Sequence, residues 1–151
     1  MGNKEIIGYT TGVYDLFHVG HLNILKRAKS MCDKLIVGVT TDELAEQRKG
    51  KRPVIPFEER VQILESIKYV DAVVPQVTME KFDAHELYGF NMMFVGDDWK
   101  GTAKWNHLES EFEQLGVKIV YFPYTKSTSS TLIRQVLYKE LDNLKKQLEK
   151  A

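Results

Sequence analysis

The stretch IIGYTTGVYDLFHVGH, residues 6–21, decides the fold. Residues 6–11 are rich in β-branched and aromatic side chains and predict a buried strand. Residues 18–31 repeat apolar side chains at helical spacing, with Val19, Leu22 and Leu25 on one face, and predict a helix. A strand that turns at Gly12 and leads directly into a helix is typical of an α/β domain.

The rest of the chain repeats this alternation. Further strands are predicted at residues 35–40, 72–74, 92–95 and 117–122, and further helices at 57–69, 81–88, 106–115 and from 129 onward. The strands are almost continuously apolar, which is typical of parallel strands that are covered on both faces. The pattern predicts an α/β fold with a parallel five-stranded sheet, helices on both faces and a C-terminal helix. We expect a single domain over residues 1–151, with 138–151 as a helical extension.

Composition narrows the class of function. The 151 residues contain 21 Lys plus Arg and 21 Asp plus Glu, so the formal net charge is zero. This balance argues against a nucleic-acid partner or a charged membrane surface, and no segment is apolar enough to insert into a membrane. The chain has a single cysteine, Cys32, so no intrachain disulfide can form. Because disulfides are typical of secreted proteins, we expect a cytoplasmic protein.

Polar and basic residues follow the predicted strands on one edge of the sheet. The first strand is followed by residues 12–21, the second by the basic segment 48–53, the fourth by 96–99 and the fifth by 124–131. Because ligands of open parallel sheets bind beyond the carboxyl ends of the strands, we expect these segments to form one site.

His18 and His21 lie three residues apart at the start of the first predicted helix. A helix N-terminus favours phosphate, and imidazoles there add hydrogen-bond donors. The other interpretations are a surface pair, an N-terminal capping arrangement, or a metal site, which would lack a nearby third ligand. The preceding strand and Gly12 favour the phosphate site.

The basic segment offers a second set of phosphate ligands. Lys49 and Lys51 flank Gly50 in what we predict to be a loop on the ligand side, although such a run is often only solvated. Arg60, on the next helix, either reaches the same site or lies on the surface.

The hydroxyl-rich residues before the last helix predict a second phosphate site. Residues 127–131 all carry hydroxyls, and Arg134 follows in the first turns of the helix. One hydroxyl would suffice for an ordinary N-cap. Asp97 and Asp98 are better suited to a turn or a ribose contact than to an acid–base pair. The chain lacks both the P-loop motif and the G-x-G-x-x-G motif.

Four segments are recognisable at this point. The segment HVGH at residues 18–21 resembles the H-x-G-H motif of the Rossmann-like nucleotidyltransferase superfamily, and residues 129–131 (SST) resemble its second motif. Residues 96–101 (GDDWKG) and 67–71 (IKYVD) are most similar to bacterial glycerol-3-phosphate cytidylyltransferases. The resemblance covers residues 6–137.

The resemblance implies a transfer of CMP from CTP to a small phosphorylated alcohol, with glycerol 3-phosphate as first choice. It implies that His18, His21, Lys49 and Lys51 are catalytic. It further implies that CTP is bound by Gly12, Val13, Tyr14, Gly96, Asp97, Asp98, Thr125, Ser129, Ser130, Thr131 and Arg134. Lys49, Lys81 and Trp99 would bind the acceptor. Mg²⁺ would be held mainly by the nucleotide phosphates, and the enzyme would be a homodimer.

Some residues depart from the family pattern and leave alternatives open. Tyr124 replaces an arginine of the last motif, and Ser127-Thr128 replaces Gly-Ile. Residues 49–60 also resemble heptose-phosphate adenylyltransferases, so an adenylyltransferase that uses ATP and a sugar phosphate is one alternative. A non-catalytic nucleotide-binding domain is another.

The final helix carries an apolar stripe of leucines at 137, 141, 144 and 148 among lysines and glutamates. The stripe predicts either packing against the parent domain or a dimer contact, and its spacing alone does not decide between them.

Overall fold

The computed structural model describes residues 4–123 and 129–150. The strands are β1 (Ile7–Gly12), β2 (Lys34–Thr40), β3 (Ala72–Gln76), β4 (Met92–Gly96) and β5 (Lys118–Phe122). The helices are α1 (Val19–Ser30), α2 (Asp42–Lys49), α3 (Phe57–Glu65), α4 (Lys81–Tyr88), α5 (Ala103–Gln114) and α6 (Ser130–Glu149). A single turn of 3₁₀-helix, Asp97–Trp99, follows β4.

The five strands form one parallel sheet in the order β3-β2-β1-β4-β5. Thr10 in the central strand is paired with Val37 of β2 and with Phe94 of β4. The chain first winds outward from β1 to β3 and then returns to place β4 beside β1. The strand order therefore reverses between β1 and β4, and such a reversal leaves a crevice at the carboxyl ends of the two strands.

Alternate side chains of the strands enter two separate cores. Leu35, Val37 and Phe94 pack on one face with α1 and α3. Ile36 and Met93 pack on the other face with α4 and α5. The predicted five-stranded parallel sheet with helices on both faces and a C-terminal helix is thus confirmed. No helix within the described residues has the length and apolar character needed to cross a bilayer.

Helix α2 was not predicted, and the interpretation of residues 48–53 as a loop was wrong at its start. Arg48 and Lys49 are the last residues of α2. The helix begins after Thr41, whose hydroxyl accepts from the backbone N–H of Leu44 at 3.2 Å. It ends at Gly50, whose φ of 75° is the left-handed conformation that suits glycine after a helix.

Several helices and strands begin or end at residues other than those predicted, and specific contacts account for the differences. Helix α3 stops at Glu65 rather than at 69, because the chain then bends toward β3 and the Asp71 carboxylate accepts from the N–H of Leu35 at 2.7 Å. Helix α5 begins at Ala103, capped by the hydroxyl of Thr102. Strand β3 continues through Pro75 to Gln76, which an edge strand tolerates because proline lacks only an N–H.

Candidate active site

A cavity of about 430 Å³ lies over the carboxyl ends of the strands, where the strand order reverses. Residues from all the segments that the sequence places on this edge contribute to it. The predicted site residues that line it are Gly12, Val13, Tyr14, His21, Lys49, Lys81, Gly96, Trp99, Ser130, Thr131 and Arg134. The cavity therefore joins the turn after β1, the end of α2, the start of α4, the turn after β4 and the first turns of α6.

Other predicted site residues lie beside the cavity rather than in its wall. His18 is the N-cap of α1. Ser129 is the N-cap of α6, and its hydroxyl accepts from the N–H of Leu132 at 3.1 Å. Lys51 points toward α6, with its Nζ 5.9 Å from the ring centre of Tyr138.

Three further predictions concern the turn after β4 and the last motif. Asp97 and Asp98 are exposed on the 3₁₀ turn, which agrees with the prediction of a turn. Thr125 and Tyr124 lie outside the described residues.

The two histidines cap the first turn of α1 reciprocally. The Nδ1 atom of His18 accepts from the N–H of Gly20 at 3.0 Å, and the Nδ1 atom of His21 accepts from the N–H of His18 at 3.3 Å. Their rings stack with centres 4.0 Å apart. The capping alternative is thus correct, and it is compatible with phosphate binding. Since each Nδ1 accepts a hydrogen bond, each neutral ring carries its proton on Nε2, which remains a donor.

Both histidines are neutral near pH 7. Burial, with the neighbouring His18 as a second cause, lowers the pKa of His21 from 6.5 to about 4, although Asp15 acts in the opposite direction. Burial also lowers the pKa of His18. The pair therefore offers directed N–H donors, while positive charge for a nucleotide must come from other side chains.

The turn between β1 and α1 has an unusual backbone. Tyr14 and Leu16 have φ angles of 55° and 50°, in the left-handed region that non-glycine residues rarely occupy. The buried Tyr14 ring meets His21 edge-on, with centres 5.3 Å apart. A Cβ atom at Gly12 would lie 2.9 Å from the Tyr14 ring, so this position requires glycine. Strained backbone of this kind concentrates at functional sites.

Asp15 holds this turn against two other segments, and sequence reasoning missed it. Its buried carboxylate accepts from the N–H groups of Val54 and Ile55 at 2.8 and 2.9 Å, and from Arg134 at 3.2 Å. Its carbonyl oxygen accepts from the hydroxyl of Ser130 at 2.6 Å. Asp15 therefore fixes the start of α6, which carries Ser130 and Thr131, against the turn that leads to the histidines. Ser127 and Thr128 of the hydroxyl-rich segment lie outside the described residues.

Arg60 is a structural residue, so both interpretations of it from the sequence were wrong. The residue is 1% exposed. Its guanidinium donates to the carbonyl oxygens of Ile55, Val13 and Thr40 at 2.7–2.8 Å and to Asp42 at 2.6 Å. Arg60 thus joins the segments that follow β1 and β2. It lies neither in the cavity wall nor on the surface.

Two further cations line the cavity: Arg48 was expected at this edge only as part of the basic segment 48–53, and Lys104 was missed. Arg48 precedes Lys49 at the end of α2, and Lys104 lies in the first turn of α5. Helix α2 was not predicted, and α5 was predicted to begin after Lys104. The signal for both was present in the caps, Thr41 with Gly50 and Thr102, which fix these two helix ends.

Comparisons with known proteins agree with this geometry. Residues 9–136 match the family described as cytidylyltransferase-like. A glycerol-3-phosphate cytidylyltransferase of Staphylococcus aureus is 38% identical over 136 residues, which cover 89% of this chain and 96% of that protein. An FAD synthase of Pyrococcus abyssi is 48% identical over 73 residues, 48% of this chain and 49% of that protein.

A solved structure gives the same result at the level of the fold. The lipopolysaccharide core biosynthesis protein from Thermoplasma volcanium superposes with a TM-score of 0.68 at 26% identity, over 83% of this chain and 100% of that one. The family match spans most of the chain, including the histidine pair and the start of α6. This protein belongs to the cytidylyltransferase-like family.

Proposed function

We propose that the protein transfers CMP from CTP to glycerol 3-phosphate and releases pyrophosphate. The observation that carries the proposal is the histidine pair at the N-terminus of α1, at the point where the strand order reverses and beside the first turn of α6. The near full-length similarity to a glycerol-3-phosphate cytidylyltransferase supports the choice of both substrates.

The reaction forms one bond and breaks one. A phosphate oxygen of the acceptor attacks the α-phosphorus of CTP, and the bond to the β-phosphate oxygen breaks, so that the electron pair leaves with pyrophosphate. The acceptor oxygen is already anionic near neutral pH and needs no general base. The protein must therefore align the two phosphates and neutralise charge on the departing pyrophosphate.

The described residues can divide these tasks. We assign the Nε2–H donors of His18 and His21 to the α-phosphate. Lys49, Arg134 and the N-terminus of α6 with its hydroxyls would hold the β- and γ-phosphates, since a helix N-terminus offers unpaired N–H groups and partial positive charge. The turn at Gly96 would contact the cytidine, and Trp99 and Lys81 the acceptor.

Mg²⁺ is proposed as the accompanying ion. Of the two carboxylates in the cavity wall, Asp15 is occupied by Arg134 and two backbone N–H groups, which leaves Glu80. Within residues 4–123 and 129–150, no three acidic, cysteine or histidine side chains cluster as metal ligands. This donor set fits an ion held mainly by nucleotide phosphates, where it would neutralise phosphate charge.

Steady-state kinetics of pyrophosphate release test the proposal. CTP is held saturating while glycerol 3-phosphate, phosphocholine, phosphoethanolamine and longer polyol phosphates are varied, and each acceptor is repeated with ATP. We expect turnover with CTP and glycerol 3-phosphate. Turnover with CTP and another acceptor alone would refute glycerol 3-phosphate but keep cytidylyl transfer.

Adenylyl transfer is the second candidate. It is favoured by the similarity to the FAD synthase of Pyrococcus abyssi, which is higher per residue than that to the cytidylyltransferase but covers half of the chain. Turnover that requires ATP, with FMN or a sugar phosphate as acceptor, would replace the first proposal. Failure of every nucleotide would favour a non-catalytic binding domain.

We also propose that the protein is a homodimer formed through α6. None of the described residues of α6 is buried, and Leu137, Leu141, Leu144 and Leu148 are each about half exposed or more. In a parallel pair of these helices the leucines would occupy the seam, and Glu140 of one copy would face Lys145 of the other. This proposal keeps residues 1–151 as one domain, with 138–151 as its dimerising extension.

A further inference from the structure

One end of the cavity carries three cations, of which the proposed chemistry uses only one, as a contact to the acceptor. Arg48 at the end of α2, Lys81 at the start of α4 and Lys104 at the start of α5 all line the cavity. The Lys81 ammonium lies 5.1 Å above the ring centre of the buried Trp105, and it lies 3.5 Å from the carbonyl oxygen of Met79. We name these three residues the α4–α5 cation cluster.

The cations of this cluster have no acidic partner in the part of the chain that the structure describes. Arg52, Arg60 and Arg134 each form ion pairs, whereas no carboxylate lies within 4 Å of the charged atoms of Arg48, Lys81 or Lys104. Burial, together with the neighbouring Lys104 and Arg48, lowers the pKa of Lys81, and only Glu80 opposes this shift. The fold therefore holds like charges together at a cost that a bound anion would offset.

Lys81 and Lys104, at the starts of α4 and α5, lie on the opposite face of the sheet from the histidines. His21 packs with Tyr14 and Phe17, which belong to the core shared with α1 and α3. Trp105, beneath Lys81, belongs to the core shared with α4 and α5. The phosphate that attacks CTP must lie near the histidines, so the cluster faces the far end of an acceptor that extends along the cavity.

We propose that the α4–α5 cation cluster is a subsite for a second anionic group on the acceptor, separate from the phosphate that reacts. The preferred substrates are then phosphorylated small alcohols that carry a carboxylate or a second phosphate. The inference rests on the proposed function and narrows it, because an acceptor such as glycerol 3-phosphate fills the reacting site but leaves the cluster without a partner.

Acceptor binding and turnover together test this subsite. The dissociation constants of glycerol 3-phosphate, 3-phosphoglycerate and glycerol 1,3-bisphosphate are measured by calorimetry, and kcat/KM is measured for each with saturating CTP. The enzymes are the unaltered protein, K81A, K104A and the control K100A, whose Lys100 lies over Tyr121 and outside the cavity wall. Thermal unfolding confirms that each variant is folded.

We expect the acceptors with two anionic groups to bind at least about 10-fold more tightly than glycerol 3-phosphate, as a charge-assisted contact allows. K104A should remove most of that preference while the affinity for glycerol 3-phosphate changes about 3-fold or less. K81A should weaken every acceptor, because Lys81 is also assigned to the acceptor, and it should weaken those with two anionic groups most. K100A should change nothing. The acceptor with the larger loss identifies carboxylate or phosphate as the preferred group.

Two results would overturn the inference without touching the proposed function. One is turnover of glycerol 3-phosphate with CTP and no preference for a second anion. The other is an equal loss for all acceptors in K104A, which would assign the cluster to the reacting phosphate. If no acceptor reacts with CTP, the proposed function fails, and the calorimetric preference still decides the subsite.

Discussion

His18 and His21 combine a structural task with the chemical one proposed for them. In both rings Nδ1 accepts a backbone hydrogen bond at the start of α1, and the Nε2–H group remains a donor. Only the spacing of three was visible in the sequence. The tautomer follows from the two capping bonds, which require the folded turn and its left-handed residues.

Replacement of either histidine should lower turnover more than nucleotide affinity. We expect His18→Ala and His21→Ala to reduce kcat by about 10²–10³-fold, the typical loss of one donor that acts on developing charge. Dissociation constants for CTP should change much less. His21→Gln separates the two tasks, because glutamine at this position can still cap the helix. His107→Ala, on the exposed face of α5, is the control. A variant with near wild-type kcat would remove that histidine from the mechanism.

The low pKa of His21 also predicts a pH dependence of stability. Between pH 6.5 and about 4 the unfolded chain binds a proton at this residue that the folded chain does not. The contribution of His21 to the free energy of unfolding is therefore complete above pH 6.5 and is lost as the pH falls toward 4. Urea unfolding from pH 7.5 to 4.5 should show a steeper loss for the natural protein than for His21→Gln. If the free energy of unfolding fell equally with pH in both proteins, the low pKa of His21 would be contradicted.

Arg60 and Arg52 both pair with Asp42, and the difference in their burial predicts different costs. Arg60→Leu leaves several buried carbonyl groups without a partner and leaves Asp42 with only the longer contact to the exposed Arg52 as an ion pair. It should lower the free energy of unfolding by about 3–5 kcal/mol. Arg52 is about half exposed, and Arg52→Leu should cost about 1 kcal/mol or less. Urea titration measures both values. Equal small effects would mean that Arg60 does not hold the two segments together.

At the scale of elements, periodicity predicted every strand and all the helices except α2. The missed helix is short and mostly polar, so its evidence lay in its caps rather than in an apolar face. The ends of α3 and α5 were misjudged because they depend on Asp71 and on the Thr102 cap. The Asp71 contact is fixed only after the sheet has formed, whereas the Thr102 cap is local and its residue type was visible in the sequence.

Helix α2 changes the expectation for the two lysines that flank Gly50. Both were expected to bind phosphate, but Lys49 lines the cavity, whereas Lys51 faces Tyr138. Lys49→Ala should therefore lower kcat/KM for CTP more than Lys51→Ala does, and Lys145→Ala in the tail should have no effect. Steady-state kinetics at fixed ionic strength give the comparison. A larger loss in Lys51→Ala would place that lysine in the nucleotide site despite its position.

At the scale of the whole molecule, the rule that ligands bind at strand carboxyl ends predicted where the cavity lies. It could be applied because the segments that follow the strands are polar in the sequence. The strand order β3-β2-β1-β4-β5 and the contacts of Asp15 and Arg60 could not be predicted, because each joins segments that are far apart in the chain. Sequence patterns report local preference, and these features depend on which segments become neighbours.

Helix α6 connects the candidate site with the surface that we propose as the dimer interface. Its first turn is anchored to Asp15, while its second half exposes Leu137, Leu141, Leu144 and Leu148. An exposed apolar stripe of this length favours contact with another protein surface. The same stripe on α6 of a second copy is a matching apolar surface. Light scattering at micromolar concentration should give the mass of a dimer.

The double variant L141E/L144E should be monomeric, because it places carboxylates in the seam, whereas the matched control Lys139→Glu/Lys146→Glu should remain dimeric. Since the changes lie far from the anchored first turn, the monomer should keep the CTP affinity of the natural protein. A monomer in the unaltered protein would refute the dimer. A dimer that survives L141E/L144E would place its interface elsewhere.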